Sequence, residues 1–223
     1  MTSVVAKPES LDVDLSRAAL VIVEMQNAFA KEGGMLSLCG LDISAADRVI
    51  KTNVQLLAAA RSAGVTVVYL AMSYRADLAD AGDESSPNFH KELGLKLMRE
   101  RPEFSGKLLI EQTWDWQIID ELKPQPGDIV INKPRYSGFV GTNLDSVLRN
   151  KDVRYLFLSG IATNICVEST GRDAFFREYW PILVEDAVNH AGPDYCAEAT
   201  KWNFENIFGW VTSSTEIIRA LKQ

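Results

Sequence analysis

The chain has 223 residues, 47% of them hydrophobic and 24% charged, and a formal net charge of -7. That length suits one α/β domain with a large core, and the acidic balance excludes the basic footprint that nucleic-acid binding requires. No basic segment leads into an apolar stretch at the N-terminus, and no run approaches the roughly 18 apolar residues that read as a membrane span, so a cytoplasmic protein without a membrane partner is expected.

Residues 1–18 are polar and read as a loose lead-in. An apolar run then predicts a strand over 19–24, ending in the carboxylate of Glu24 and the polar pair Gln26-Asn27. Gly33-Gly34 marks a loop. Between 45 and 63 apolar residues recur at Val49, Ile50, Val54, Leu57 and Ala60, one face of a helix that Gly64 closes. Residues 65–70 read as a second buried strand. The segment 72–112, broken by Gly82, Pro87, Gly94, Pro102 and Gly106, has no clear period and is expected to be a lid or an active-site wall. A short helix over 114–122 precedes the turn Pro124-Gln125-Pro126-Gly127. A third strand, 128–133, ends in Lys133, and a helix follows over 142–150. The fourth strand, 154–159, stops at Ser159-Gly160 and gives way to a helix over 164–178 that carries Cys166. A strand at 181–185, a helix at 194–206, a short strand at 210–212 and a helix at 214–221 complete the pattern. Strands separated by helices predict right-handed crossovers and a three-layer α/β/α fold around a mostly parallel sheet. With no internal repeat or linker, residues 1–223 read as a single domain.

If the first, third and fourth strands are neighbours, an acid, a cation and a thiol gather at the carboxyl edge of the sheet, where open α/β sheets bind ligands. Cys166 stands just inside a helix start, where orphan N–H groups, the helix dipole and Lys133 are expected to favour its thiolate. Cys39 and Cys196 form no CxxC pair with it and read as passive thiols. The only histidines, His90 and His190, accompany no G-x-S-x-G elbow and no clustered ligands, so neither a serine triad, a metal nor another cofactor is expected. Trp202, Phe204, Phe208 and Trp210 read as packing residues of a core or a subunit interface.

These strand ends resemble the isochorismatase-like cysteine hydrolases, whose members carry Asp, Lys and Cys on the three motifs, and the resemblance runs from about Leu20 to Val211. Ser86 to Lys91, Pro124 to Asp128, Lys133 to Phe139, Gly160 to Thr170 and Phe208 to Val211 are most similar to the ureidoacrylate amidohydrolase and biuret hydrolase subgroup. Two departures stand out. Glu24 replaces the usual aspartate, and Ala71-Met72-Ser73-Tyr74 lacks the amide and indole side chains of the ureidoacrylate enzymes. The metal motif Asp-x-His-x-x-His of the related nicotinamidases is missing too.

The resemblance implies a Glu24–Lys133–Cys166 triad that cleaves a C–N bond of a small ureido or carboxamide compound through a covalent Cys166 intermediate. Ureidoacrylate leads as substrate, and biuret or another carbamoylated nitrogen compound comes next. It also implies an oxyanion hole from the N–H groups of Ala162 and Cys166, with a cis peptide between Ile161 and Ala162. Gln26, Tyr74, Asn88, Phe89 and Tyr136 are the candidate substrate-binding residues, Arg135 and Ser137 stand at the rim, and His90 falls in the same segment. A homo-oligomer is expected. A catalytically silent relative that binds a small molecule or a partner protein is the rival reading, and the Glu24 replacement is the feature that favours it.

Overall fold

The computed structural model describes residues 1–222. In chain order the strands are β1 (Thr2–Val4), β2 (Leu11–Val13), β3 (Ala18–Val23), β4 (Thr66–Met72), β5 (Ile129–Lys133), β6 (Tyr155–Ile161), β7 (Trp180–Asn189) and β8 (Trp210–Thr212). The helices are α1 (Asn27–Ala30), α2 (Met35–Leu38), α3 (Ala46–Ser62), α4 (Pro87–Lys91), α5 (Leu93–Glu100), α6 (Leu144–Asn150), α7 (Glu168–Phe175), α8 (Asp194–Asn203) and α9 (Ser214–Leu221). Six strands form one sheet in the order β5-β4-β3-β6-β7-β8, and every pairing in it is parallel. β3 is buried along its whole length, as expected of a central strand covered on both faces. Two hydrophobic clusters, around Leu20 and Ile22 on one face and Val21 and Val23 on the other, sandwich it.

The chain runs β3, β4, β5 outward on one side and then returns to place β6 on the other side of β3. The strand order therefore reverses between β3 and β6, and a crevice opens above their carboxyl ends. Glu24 and Cys166 follow those two strands. Lys133 ends β5, which is not a neighbour of β3: β4 lies between them. β6 also continues past Ser159-Gly160 to Ile161. Gly160 has φ +110°, and a Cβ there would collide with the Val23 carbonyl oxygen, so only glycine lets the two central strands close up beneath the site.

Three further segments differ from the sequence pattern. The lead-in forms an antiparallel pair, β1 with β2, because Val4 and Val13 are apolar enough to be fully buried, and Lys7 exchanges backbone hydrogen bonds of 2.8 and 3.0 Å with Val211 of the edge strand β8. Residues 114–122 form no helix beyond a 3-10 turn at Asp120–Leu122. Their carbonyls are taken elsewhere: Ala28 N–H donates to Asp115, Asn27 N–H to Gln117, and the Gln26 amide to Trp116. Long-range pairing overrides the helical pattern there. Residues 72–112 hold α4 and α5, and their side chains form a wall of the crevice. No helix is long and apolar enough to cross a membrane among the described residues.

Candidate active site

Glu24 donates its backbone N–H to the Leu70 carbonyl at 2.8 Å, one step beyond the last residue of β3. It then turns the chain with φ +51°, a left-handed conformation that costs a glutamate about 1–3 kcal/mol and recurs at functional sites. Lys133 reaches over β4, its Nζ 3.6 Å from the Met72 sulfur, and donates to Glu24 Oε1 and, at 3.0 Å, to the Arg135 carbonyl. Both side chains are wholly buried. Cys166, 4% exposed, completes the cluster. The three strand ends thus bring together the acid, the cation and the thiol.

Cys166 sits in a π-helical turn, Thr163–Val167, that leads into α7. The Ala162 carbonyl accepts from the N–H groups of Ile165 and Val167, both at 3.1 Å, and passes over that of Cys166. The Ile161–Ala162 peptide is cis. Asn164, which nothing in the sequence singled out, holds this turn against the end of β7 by donating to and accepting from the Ala191 backbone at 2.9 and 3.0 Å. Thr170 adds a second tie, accepting from Gly138 N–H at 2.9 Å and so linking the Cys166 helix to the loop after Lys133.

The electrostatics differ from the sequence expectation in one respect. Burial, and then the charge of Glu24, push the Cys166 thiol well above its ordinary value of 9.0, against the pull of Lys133. The helix start does not preform a thiolate here, because a thiol out of water beside a carboxylate resists becoming an anion. Burial also raises Glu24, with Lys133 opposing it. Burial alone would lower Lys133, yet its interactions with Cys166 and Glu24 outweigh it and hold the ammonium above its ordinary range. Glu24 Oε2 is buried with no hydrogen-bond partner. An unpaired carboxylate oxygen beside a protonated thiol is arranged to take its proton when a substrate arrives.

A small cavity opens on Glu24 and Cys166, with Ala162 and Tyr136 also in its lining. The rest of the wall is mainly apolar, from Phe29, Met35 and Leu36 of the first helices, Met72 of β4, Leu93 of α5 and Ile165 beside the cysteine. Glu92 is the other carboxylate of the wall, and its pKa is raised by burial although it accepts from Leu95 and Gly94 N–H. Of these liners the sequence had pointed to Glu24, Cys166, Ala162 and Tyr136. The apolar set carries no periodic signal, because it comes from short helices and loop ends scattered along the chain.

The other candidate binding residues lie outside this cavity and have partners of their own. Gln26 is a clamp on β4: its amide donates to the Met72 carbonyl at 3.0 Å while its oxygen accepts from Met72 N–H at 2.8 Å. Tyr74 is fully buried, and its hydroxyl accepts from Asn88, whose amide also donates to the Ala81 carbonyl. Phe89 packs edge-on to His90, with the Arg99 guanidinium 3.8 Å from its ring centre. His90 contacts the Glu84 carbonyl, and His190 lies 3.3 Å from Asp194. Phe204 is buried, whereas Trp202 stands out in solvent rather than in the core. Among the described residues no cluster of His, Cys, Asp and Glu could hold a metal ion.

Comparison with known proteins bears on the family and the fold. The family model for the isochorismatase domain matches residues 18–216. The chain is 49% identical over 218 residues to ureidoacrylate amidohydrolase RutB of Agrobacterium fabrum, a match covering 98% of this chain and 96% of that one. Among solved structures, a cysteine hydrolase from Pseudomonas syringae pv. phaseolicola superposes with a TM-score of 0.80 at 29% identity, over 95% of each chain. N-carbamoylsarcosine amidase from Thermoplasma acidophilum gives a TM-score of 0.66 at 28% identity, over 89% of this chain and 96% of that one.

Proposed function

Because the chain belongs to the isochorismatase domain family, we propose that it is a cysteine-dependent amidohydrolase that cleaves a C–N bond of a small ureido compound, ureidoacrylate first among them. One observation carries the reading: Glu24, Lys133 and Cys166, carried by three separate strand ends, are buried together, Glu24 and Cys166 face one cavity, and the Glu24 oxygen that Lys133 does not hold is left to the thiol. The activity of the relative at 49% identity supports the substrate, and a carbamoyl amidase among the structural neighbours supports the bond cleaved.

Glu24 Oε2 takes the Cys166 proton as the sulfur bonds to the ureido carbonyl carbon, so charge is never separated without a partner. Lys133 stays cationic and balances the anion that forms beside it. The carbonyl oxygen becomes an oxyanion held by the N–H groups of Ala162 and Cys166, the kind of fixed-dipole stabilisation that commonly supplies the largest catalytic term. The bond from carbon to the substituted nitrogen then breaks, and the nitrogen leaves with the proton from Glu24. An S-carbamoyl group remains on Cys166. Water, giving a proton to Glu24, attacks it and releases carbamate, and the proton returns to sulfur. The exposed Trp202 and Ile207 beside the Phe175–Phe176–Phe208 cluster support a homo-oligomer.

Turnover of ureidoacrylate by the purified protein, with Cys166→Ser as control, tests the assignment. Serine keeps the shape but is far harder to ionise, so the variant should fold and fall to near-background rates. Substantial hydrolysis by Cys166→Ser would refute the covalent route.

A further inference from the structure

The cavity that holds the thiol cannot take a charged acid. Its wall is mostly apolar; the charged side chains in it are two carboxylates, Glu24 and Glu92, and the other polar side chains are Tyr136 and the Cys166 thiol. The nearest cation, Lys133, is already committed to Glu24 and to the Arg135 carbonyl. A carboxylate moved into this space would lose its water and gain no partner, a large penalty. A ureido acid must therefore keep its charged end outside while its uncharged ureido group reaches Cys166.

A second hollow lies on the other side of Tyr136, which lines both. This groove is bounded by Ser86, Pro87, Asn88, Lys91 and Arg135. Arg135 Nη1 donates to the carbonyls of Asp80 at 2.9 Å and Pro134 at 2.6 Å, which orients the guanidinium without neutralising it. Among the described residues neither Lys91 nor Arg135 has an acidic partner. Of the acids in the neighbouring loop, Asp77 pairs with Arg75, Asp80 accepts from Arg75 N–H and Asp83 from Ser85, and neither these nor Glu84 forms an ion pair with Lys91 or Arg135. In a chain of net charge -7, two uncompensated cations on one groove beside the reactive cavity form a local exception.

We propose that this groove is a carboxylate subsite, in which Arg135 and Lys91 hold the acid end of the substrate while Tyr136 separates it from the reacting carbonyl. The inference rests on the amidohydrolase reading. In ureidoacrylate a single vinyl unit separates the leaving nitrogen from the carboxylate, so the subsite requires the groove to lie within that reach of Cys166.

The test compares ureidoacrylate with its uncharged primary amide. Lys91→Gln and Arg135→Gln should each raise KM for the acid about 10-fold more than KM for the amide, the loss of one charge-assisted contact. Arg135→Lys should recover most of that discrimination, and added salt should raise KM for the acid selectively. Equal losses on the two substrates would reduce Arg135 to a structural role, and an unchanged KM for the acid in Lys91→Gln would overturn the subsite. If the wild-type protein cleaves neither compound, the amidohydrolase reading fails, and calorimetry decides the subsite separately. Ureidoacrylate binding to Cys166→Ser that weakens about 10-fold with Lys91→Gln would support it. No binding, or binding indifferent to both cations, would overturn it.

Discussion

Replacing Glu24 by Gln preserves shape while removing one partner of a fully buried ion pair. Lys133 would remain as an ammonium supported only by the Arg135 carbonyl at 3.0 Å and the Met72 sulfur at 3.6 Å. Leaving a buried charge unpaired costs about 3–5 kcal/mol. In a chain of this size each kcal/mol shifts Tm by about 2–4 °C, so the variant should melt about 6–20 °C below wild type at neutral pH. The pH dependence has a definite sign. In the wild type Lys133 is held above its ordinary value of 10.5, so its contribution is complete below that value and is lost as pH rises through the folded-state value. Without Glu24, burial meets less opposition and the folded Lys133 should shed its proton earlier than the unfolded chain does. The deficit of Glu24→Gln should then shrink as pH rises toward 10, measured as Tm by calorimetry from pH 7 upward. Turnover should fall about 10²–10⁴-fold with the loss of the base. Adding Lys133→Met removes the stranded charge, so the double variant should regain most of the stability while its rate stays at background. Full activity in Glu24→Gln would end the triad hypothesis, and a double variant less stable than the single one would show that packing rather than charge sets the cost.

Three more outcomes follow from the same geometry. Iodoacetamide labelling of Cys166 in the free protein should keep rising through pH 9, because burial and Glu24 hold the thiol protonated; a plateau below pH 7 would indicate a preformed thiolate. Gly160→Ala should lower Tm and turnover together, since its Cβ would displace the Val23 carbonyl one residue before Glu24; wild-type turnover would mean that the strands tolerate the shift. Prolonged EDTA treatment should leave the rate unchanged, and activity lost to EDTA and restored by zinc or manganese would show that a metal had been missed.

Much of the fold was legible because the central strands are buried on both faces and carry unbroken apolar stretches, Ala19 to Val23, Val67 to Leu70 and Tyr155 to Leu158. The chemistry was legible because a polar residue at the end of each run breaks that pattern: Glu24, Lys133 and the cysteine past Gly160. Strand order was hidden, since nothing in the residues of β5 says that β4 lies between it and β3. The protonation of Cys166 was hidden as well, because a helix start predicts a lowered thiol while desolvation beside Glu24 depends on how the strands assemble. Gln26 and Tyr74 look like binding groups in sequence, yet Gln26 clamps β4 and Tyr74 is fully buried, whereas Asn88 bonds Tyr74 and Ala81 through its amide while bounding the groove beside Tyr136.

The strand order also sets where the lysine and the acid meet. Lys133 must cross β4 to reach the crevice, passing the Met72 sulfur and stopping where Glu24 Oε1 meets it. A glutamate projects one methylene further than an aspartate, so one carboxylate oxygen meets the lysine while the other is left free beside the thiol. The same residue turns the chain through a left-handed conformation directly after β3, which aims its side chain into the space above the β3–β6 reversal. Met72 is then both the surface over which the lysine passes and part of the cavity wall. Glu24, which replaces the family aspartate, and Met72, from the segment that departs from the ureidoacrylate enzymes, therefore meet at one place: the contact between the lysine and the acid.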